Sequence, residues 1–174
     1  MGERRGNIEG ERGEENEMRQ GWTERERRKK RVNVLMVSGK KSTSRQNLKE
    51  ASRALREGLK KGEYKTREGV VLELASDAFE EAIHRLSPSV KLSSVKRGGS
   101  TMKIPVLLMG NRSSRLGIRF LVEGAVARAR NGGVPISRAM AMEVHSVLKN
   151  QDCHSLTRYR RLQKEAKANR MFVR

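Results

Sequence analysis

The sequence predicts a mainly α protein, with about six helices in one bundle-like domain and a protruding β-hairpin arm. Three observations predict it. Apolar residues recur at steps of three and four in several separate segments, the spacing that aligns one face of a helix. One segment breaks that period and sets two β-prone runs on either side of Gly98-Gly99, as a tight hairpin would. The chain has 174 residues, room for one ordinary core.

The elements follow in order. Residues 1–30 are mostly charged and hold few apolar side chains. They cannot bury a core, so a disordered extension is expected there, with residues 31–174 as the folded domain. Trp22 reads as an exposed aromatic within the extension. The basic run at 25–31 could begin a helix or lie along phosphate. Residues 32–37 are apolar and predict one or two helical turns, stopped by Gly39 in a left-handed conformation. Thr43 or Ser44 is expected to cap the second helix, which reaches about Lys60. Leu48, Ala51, Leu55 and Leu59 form its apolar face. Arg45, Lys49, Arg53, Arg56 and Lys60 run beside that face as a basic stripe, which reads equally well as a solvated surface or an RNA-facing one.

A polar loop is expected at 60–69. Val71, Leu74, Ala75, Ala78, Phe79, Ala82, Ile83 and Leu86 carry the clearest helical period in the chain, and Pro88 ends it. His84 beside that stripe reads as a surface or capping residue. The hairpin is expected at about 89–109. Gly98 and Gly99 supply the turn, Lys96, Arg97 and Lys103 the charge near its tip. Pro105 cannot donate to a strand ladder, so its strand needs a free edge. Next comes a helix at about 113–130, with Leu116, Phe120 and Leu121 inward and Arg112, Arg115 and Arg119 as a basic stripe. Gly117 and Gly124 share a face that lets a neighbour approach closely. Ser137 is expected to cap the following helix, with Met140, Val144, Val147 and Leu148 buried. The last helix starts near Ser155 and turns Leu156, Tyr159, Leu162 and Ala166 inward.

Charge narrows the function. The chain carries 39 Lys and Arg against 20 Asp and Glu, a net +19. Such an excess repels itself unless a polyanion neutralises it. Residues 1–30 are nearly balanced, with nine basic and eight acidic residues, so the folded domain carries the excess. Nucleic acid is the usual partner and an anionic membrane the other. Aromatics are 3%, too few for a surface that stacks unpaired bases. Phosphates and shape are therefore the expected means of recognition. One cysteine, Cys153, excludes an internal disulfide and fits a reducing compartment. The longest apolar runs are too short to cross a bilayer, and residues 1–20 lack the apolar stretch of a secretory signal.

No enzymatic chemistry is expected, and no cofactor. Gly39-Lys40-Lys41-Ser42-Thr43 resembles part of a phosphate-binding loop, but Val34 stands where its first glycine belongs and Lys41 where Ser or Thr belongs. His145, Cys153 and His154 form the sole close His/Cys group, without the spacing of a zinc site. No Gly-x-Ser-x-Gly elbow occurs. Acidic residues of the domain share helices with basic ones, as solubilising pairs do.

Four segments carry a resemblance: VNVLMVSGKKST at 32–43, RGGSTMKIPV at 97–106, LGIRFLVEGA at 116–125 and EAKANRMF at 165–172. In this order they closely resemble the bacterial type of the seventh small-subunit ribosomal protein family. The resemblance implies a helical domain with a projecting hairpin, and no catalytic role. It implies binding to the 3′ major (head) domain of small-subunit rRNA, an early part in head assembly, and a place near the exit-site tRNA and mRNA path. Neighbouring head and platform proteins would be partners, and a membrane would not. By matching position, RNA contact falls to Lys40 and Lys41, to Lys96 and Arg97, and to Arg112, Arg115 and Arg119. The basic residues and glycines around them, Arg45, Lys49, Arg53, Gly98, Gly99 and Lys103, complete the expected RNA-binding set. Residues 1–30 have no recognised counterpart, the loop at 60–69 is longer than the family's, and Phe120 stands where Trp is usual. That drift implies an organellar ribosome, mitochondrial first, with a plastid or bacterial cytoplasm as alternatives. The rival reading is an architectural DNA-binding protein with a basic β-arm. A membrane-surface protein is disfavoured, because the apolar stripes are committed to a core.

Overall fold

The computed structural model describes residues 23–59, 72 and 74–172. Among these, six helices and one β-ribbon follow in the order α1 (Glu24–Leu35), α2 (Lys41–Leu59), α3 (Ala75–Leu86), β1 (Val90–Arg97), β2 (Ser100–Leu107), α4 (Asn111–Gly132), α5 (Ile136–Leu148) and α6 (His154–Ala168), closed by a single 3-10 turn at Arg170–Phe172. The expected fold class is the observed one. The loop expected at 60–69, the disorder expected for residues 1–22, Trp22, Lys60 and Val71 lie outside the described residues.

Helix α1 is longer than expected. It starts at Glu24, and the boundary drawn at residue 31 falls inside it. A reciprocal cap opens it: the Thr23 hydroxyl accepts from the Glu26 amide at 3.4 Å, and the Glu26 carboxylate accepts from the Thr23 amide at 2.9 Å. Two otherwise unsatisfied amides are thereby paired, and the bonds from Thr23 hold the Glu26 carboxyl below its ordinary value. The helix is not stopped directly by Gly39. Met36 is already extended, and Ser38 and Gly39 both take left-handed φ values, 51° and 74°, in the turn that leads to α2.

The core is one cluster of apolar side chains. Leu48, Ala51, Leu55 and Leu59 of α2 face Ala78, Phe79, Ala82, Ile83 and Leu86 of α3, and all are buried. Ile118, Leu121, Val122 and Ala125 of α4 and Met140, Val144, Val147 and Leu148 of α5 complete it. Helix α4 is the hub, packing on α1, α3, α5 and α6, while α2 packs chiefly on α5. The predicted glycine face is what allows this. A Cβ on Gly117 would lie 2.8 Å from the Ile83 carbonyl of α3, and one on Gly124 would lie 2.5 Å from Glu143 of α5. Three expectations fail at helix starts. Thr43 and Ser44, expected to cap α2, lie inside it because the helix begins at Lys41, and the Ser44 hydroxyl donates back to the Lys40 carbonyl at 3.3 Å. Leu74 precedes α3 and is exposed, because the helix begins only at Ala75. Ser137 lies inside α5, buried, while Pro135 occupies the cap position. A proline there fits because the cap needs no amide in the helix ladder.

The ribbon pairs Val90 with Leu107 through to Arg97 with Ser100. Gly98 and Gly99 have φ of 55° and 82°, so both central turn positions need the positive φ that glycine supplies freely. Pairs alternate between hydrogen-bonded and open along such a ribbon. Counting from the turn, Pro105 opposite Leu92 falls on an open pair, where its missing amide would face the free edge. Strand β1 packs on α6 and β2 on the 3-10 turn, and the Ser113 hydroxyl at the start of α4 donates to the Pro88 carbonyl at 2.7 Å.

Candidate nucleic-acid interface

The sequence-predicted cations fall into two groups on different elements. The first lies along α2 and the turn before it. Lys40, Lys41, Arg45, Lys49 and Arg53 are all exposed, because the helix buries Leu48, Ala51 and Leu55 on the neighbouring face and a period of 3.6 leaves the basic positions along its edge. None of the five holds an ion pair among the described residues. The second group joins the hairpin to α4 and α6. Lys96, Gly98, Gly99 and Lys103 are exposed on the ribbon, with Arg97 opposite Ser100 at its turn, and Arg112, Arg115 and Arg119 are exposed along α4.

Two acidic side chains bind the second group together. Glu123 accepts from Arg119 at 2.8 Å and from Arg158 of α6 at 2.7 Å. Burial pushes its carboxyl up, but the two arginines outweigh that and hold it below its ordinary value. Glu165 of α6 accepts from Lys103 of the ribbon at 3.0 Å and from Arg161 at 2.9 Å. The Lys103 bond, then the Arg161 bond, hold it low as well. Two of the predicted cations, Lys103 and Arg119, thus already face a carboxylate. Exposed pairs of this kind gain little net energy in water, so a phosphate can displace the acid at small cost.

The basic run at 25–31, expected either to begin a helix or to lie along phosphate, forms the first half of α1, but its cations were not in the expected RNA-binding set. Arg25, Arg28 and Lys29 line a groove of about 440 Å³ together with Lys41, Arg45 and Lys49, floored by Val32 and Leu48. Helix α1 is placed there by its other arginines. Arg31, 7% exposed at its side chain, donates to Glu80 of α3 at 2.8 Å and lies 5.2 Å from the centre of the Phe79 ring. Arg27 donates to the other Glu80 oxygen. The Thr23-x-x-Glu26 cap was the signal in the sequence that could have found this helix.

A buried acid was also missed. Glu143 of α5 is fully buried and accepts from Arg128 Nε at 2.8 Å, the Ser155 amide at 2.9 Å and the Ser155 hydroxyl at 2.7 Å. Burial pushes its carboxyl up, and the bonds from Ser155 and Arg128 more than offset this, leaving it below its ordinary value. Its partners join α4, α5 and α6, and Ser155, like Glu143, has no exposed surface from which to meet a substrate. The group is structural. No set of three or more His, Cys, Asp or Glu able to hold a metal ion occurs among the described residues, and no described helix is long and apolar enough to cross a membrane.

Comparison with known proteins gives one answer. The model of the ribosomal protein S7p/S5e family matches residues 12–170, so the match begins inside the stretch expected to lack a counterpart. The small ribosomal subunit protein uS7 of Legionella pneumophila strain Corby is 32% identical over 153 residues, spanning 82% of this chain and 82% of that protein. The proteins of the same name from strains Lens and Philadelphia 1 give the same figures.

Proposed function

The chain belongs to the ribosomal protein S7p/S5e family, and from that premise we propose that it anchors itself in the ribosome by binding the 3′ major (head) domain of small-subunit rRNA. It is a structural protein of the small subunit and not an enzyme. The observation that carries the RNA reading is the row Lys41, Arg45, Lys49 and Arg53 on one exposed edge of α2, without carboxylate partners among the described residues. Such a row attracts phosphate without reading bases. The stripe Arg112, Arg115 and Arg119 on α4 supplies a second phosphate contact, and Lys40 extends the first.

The hairpin tip, Lys96 to Gly99 with Lys103 behind it, reaches toward the exit-site tRNA and the mRNA path. Its support is geometric: Lys96, Gly98 and Gly99 are exposed at the turn, while β1 packs on α6 and Lys103, farther from the turn, pairs with Glu165 of α6. Head and platform proteins are its neighbours in this reading, and an early place in head assembly follows from direct rRNA binding. The divergence from the bacterial pattern supports a mitochondrial ribosome, whereas the bacterial source of the relatives fits the alternative of a bacterial cytoplasm.

Competition binding tests the reading. A head-domain rRNA transcript should bind the full chain and resist displacement by duplex DNA of equal charge. Equal displacement by duplex DNA would favour the architectural DNA-binding alternative.

A further inference from the structure

The basic run of α1 is not explained by the fold. Arg27 and Arg31, four residues apart, hold the helix to Glu80 of α3. Arg25, Arg28 and Lys29 fall at steps of three and four on a different face and hold no ion pair among the described residues. They meet Lys41, Arg45 and Lys49 of α2 across the groove described above. We propose that this groove seats one sugar–phosphate strand of RNA, with α1 and α2 as its two cationic walls. The proposal rests on the RNA reading and names the part of the surface that holds the backbone.

Four features point to a strand rather than a single anion. The α2 cations recur every fourth residue, a rise of about 6 Å per step along the helix, which is of the order of the distance between successive phosphates. The groove is continued by a second one of about 440 Å³ between α2 and α3, and Arg28 and Lys49 line both. Arg53 and Arg56 extend the same cationic wall there, so the positive track runs on past one site. The floor is apolar: Val32 and Leu48 are buried, and no aromatic ring lines the first groove. Stacking of bases is therefore excluded from it, and the seat takes backbone of any sequence. The contrast with the hairpin side strengthens the assignment. There Glu123 and Glu165 already accept from Arg119 and Lys103, while no carboxylate lines the α1–α2 groove.

The test uses the full chain and a head-domain rRNA transcript. Two variants alter the α1 wall, Arg25→Glu/Arg28→Glu/Lys29→Glu and the milder Arg25→Gln/Arg28→Gln/Lys29→Gln. A third, Arg112→Glu/Arg115→Glu/Arg119→Glu, alters the α4 stripe. Loss of three phosphate contacts should weaken binding on the order of tenfold or more and flatten the slope of log affinity against log salt by about two. The Gln variant shows the slope change even if the Glu variant folds poorly. A photo-crosslinking amino acid in place of Asn33, beside the groove floor, should couple to the transcript. Wild-type affinity and slope in the Gln variant, together with lost binding in the α4 variant, would overturn the groove and leave the RNA reading intact. No binding by the unaltered chain would overturn both.

Discussion

Glu143 on α5, with no exposed surface, accepts hydrogen bonds from three groups on two other helices. Breaking a buried pair leaves a charge without its partner, which costs far more than the pair itself contributes. Glu143→Ala should lower unfolding free energy by about 3 kcal/mol, read from chemical denaturation. The pH dependence follows from the same contacts. The folded carboxyl lies below its ordinary value, so the folded state binds the charge better than the unfolded chain does. Its stabilisation is complete above the unfolded pKa and is lost as pH falls through the folded one. Denaturation midpoints measured from neutral to acidic pH should therefore fall less steeply in Glu143→Gln than in the unaltered chain. Gly124 lies against this cluster, where a Cβ would meet the Ser155 hydroxyl and the Glu143 carboxylate. Gly124→Ala should cost about 2 kcal/mol by overpacking. The close approach at Gly117 and Gly124 was legible in their spacing. Glu143 was not, because the partners that satisfy it, Arg128 and Ser155, come from other helices and cannot be read from its own segment.

Helices and ribbon differ in how openly the sequence declares them. In α2 and α3 apolar side chains recur with the helical period, and the buried apolar residues are those the period picks out, while Leu74, just before α3, is exposed. The hairpin was legible from Gly98-Gly99, since few other residues tolerate two successive positive φ values. The first turns of helix α1 were hidden because their inner face is made of arginine: Arg27 and Arg31 pair with Glu80, and Arg31 lies against Phe79, whereas an apolar contact begins only at Val32. Its cap, Thr23-x-x-Glu26, stands in the sequence inside a charged stretch whose composition points to disorder. Thr23→Ala should cost about 1 kcal/mol of helix stability, seen as faster amide exchange over the first turn of α1. The ribbon lacks a core of its own, so its tip adds little to folding. Replacing residues 96–101 by a short turn should leave the melting temperature nearly unchanged and most rRNA affinity in place, with the loss appearing in translation. A drop of several degrees would mean the tip is part of the folded body.

At the scale of the whole molecule, +19 charges on a helical body make association electrostatic. The candidate residues were legible as cations, and the structure places all those whose side chains it describes at the surface. What the sequence could not give was their grouping: which cations share a groove, and which already face Glu123 or Glu165, depends on how α1, α2, α4 and α6 pack. If about six to ten phosphates are neutralised, affinity for an isolated rRNA transcript should fall by roughly three to five powers of ten from low to moderate salt, measured by filter binding. A flat response would remove the phosphate-dominated mechanism. If rRNA holds the chain on more than one face within an assembled subunit, as proposed, the chain should stay bound through a salt wash that strips loosely attached proteins. Sedimentation of a tagged chain with small ribosomal subunits through a high-salt gradient tests this most directly. The account predicts that the chain migrates with the small subunit at a constant ratio to its rRNA. A chain that remains at the top of the gradient, or that follows DNA instead, would contradict it.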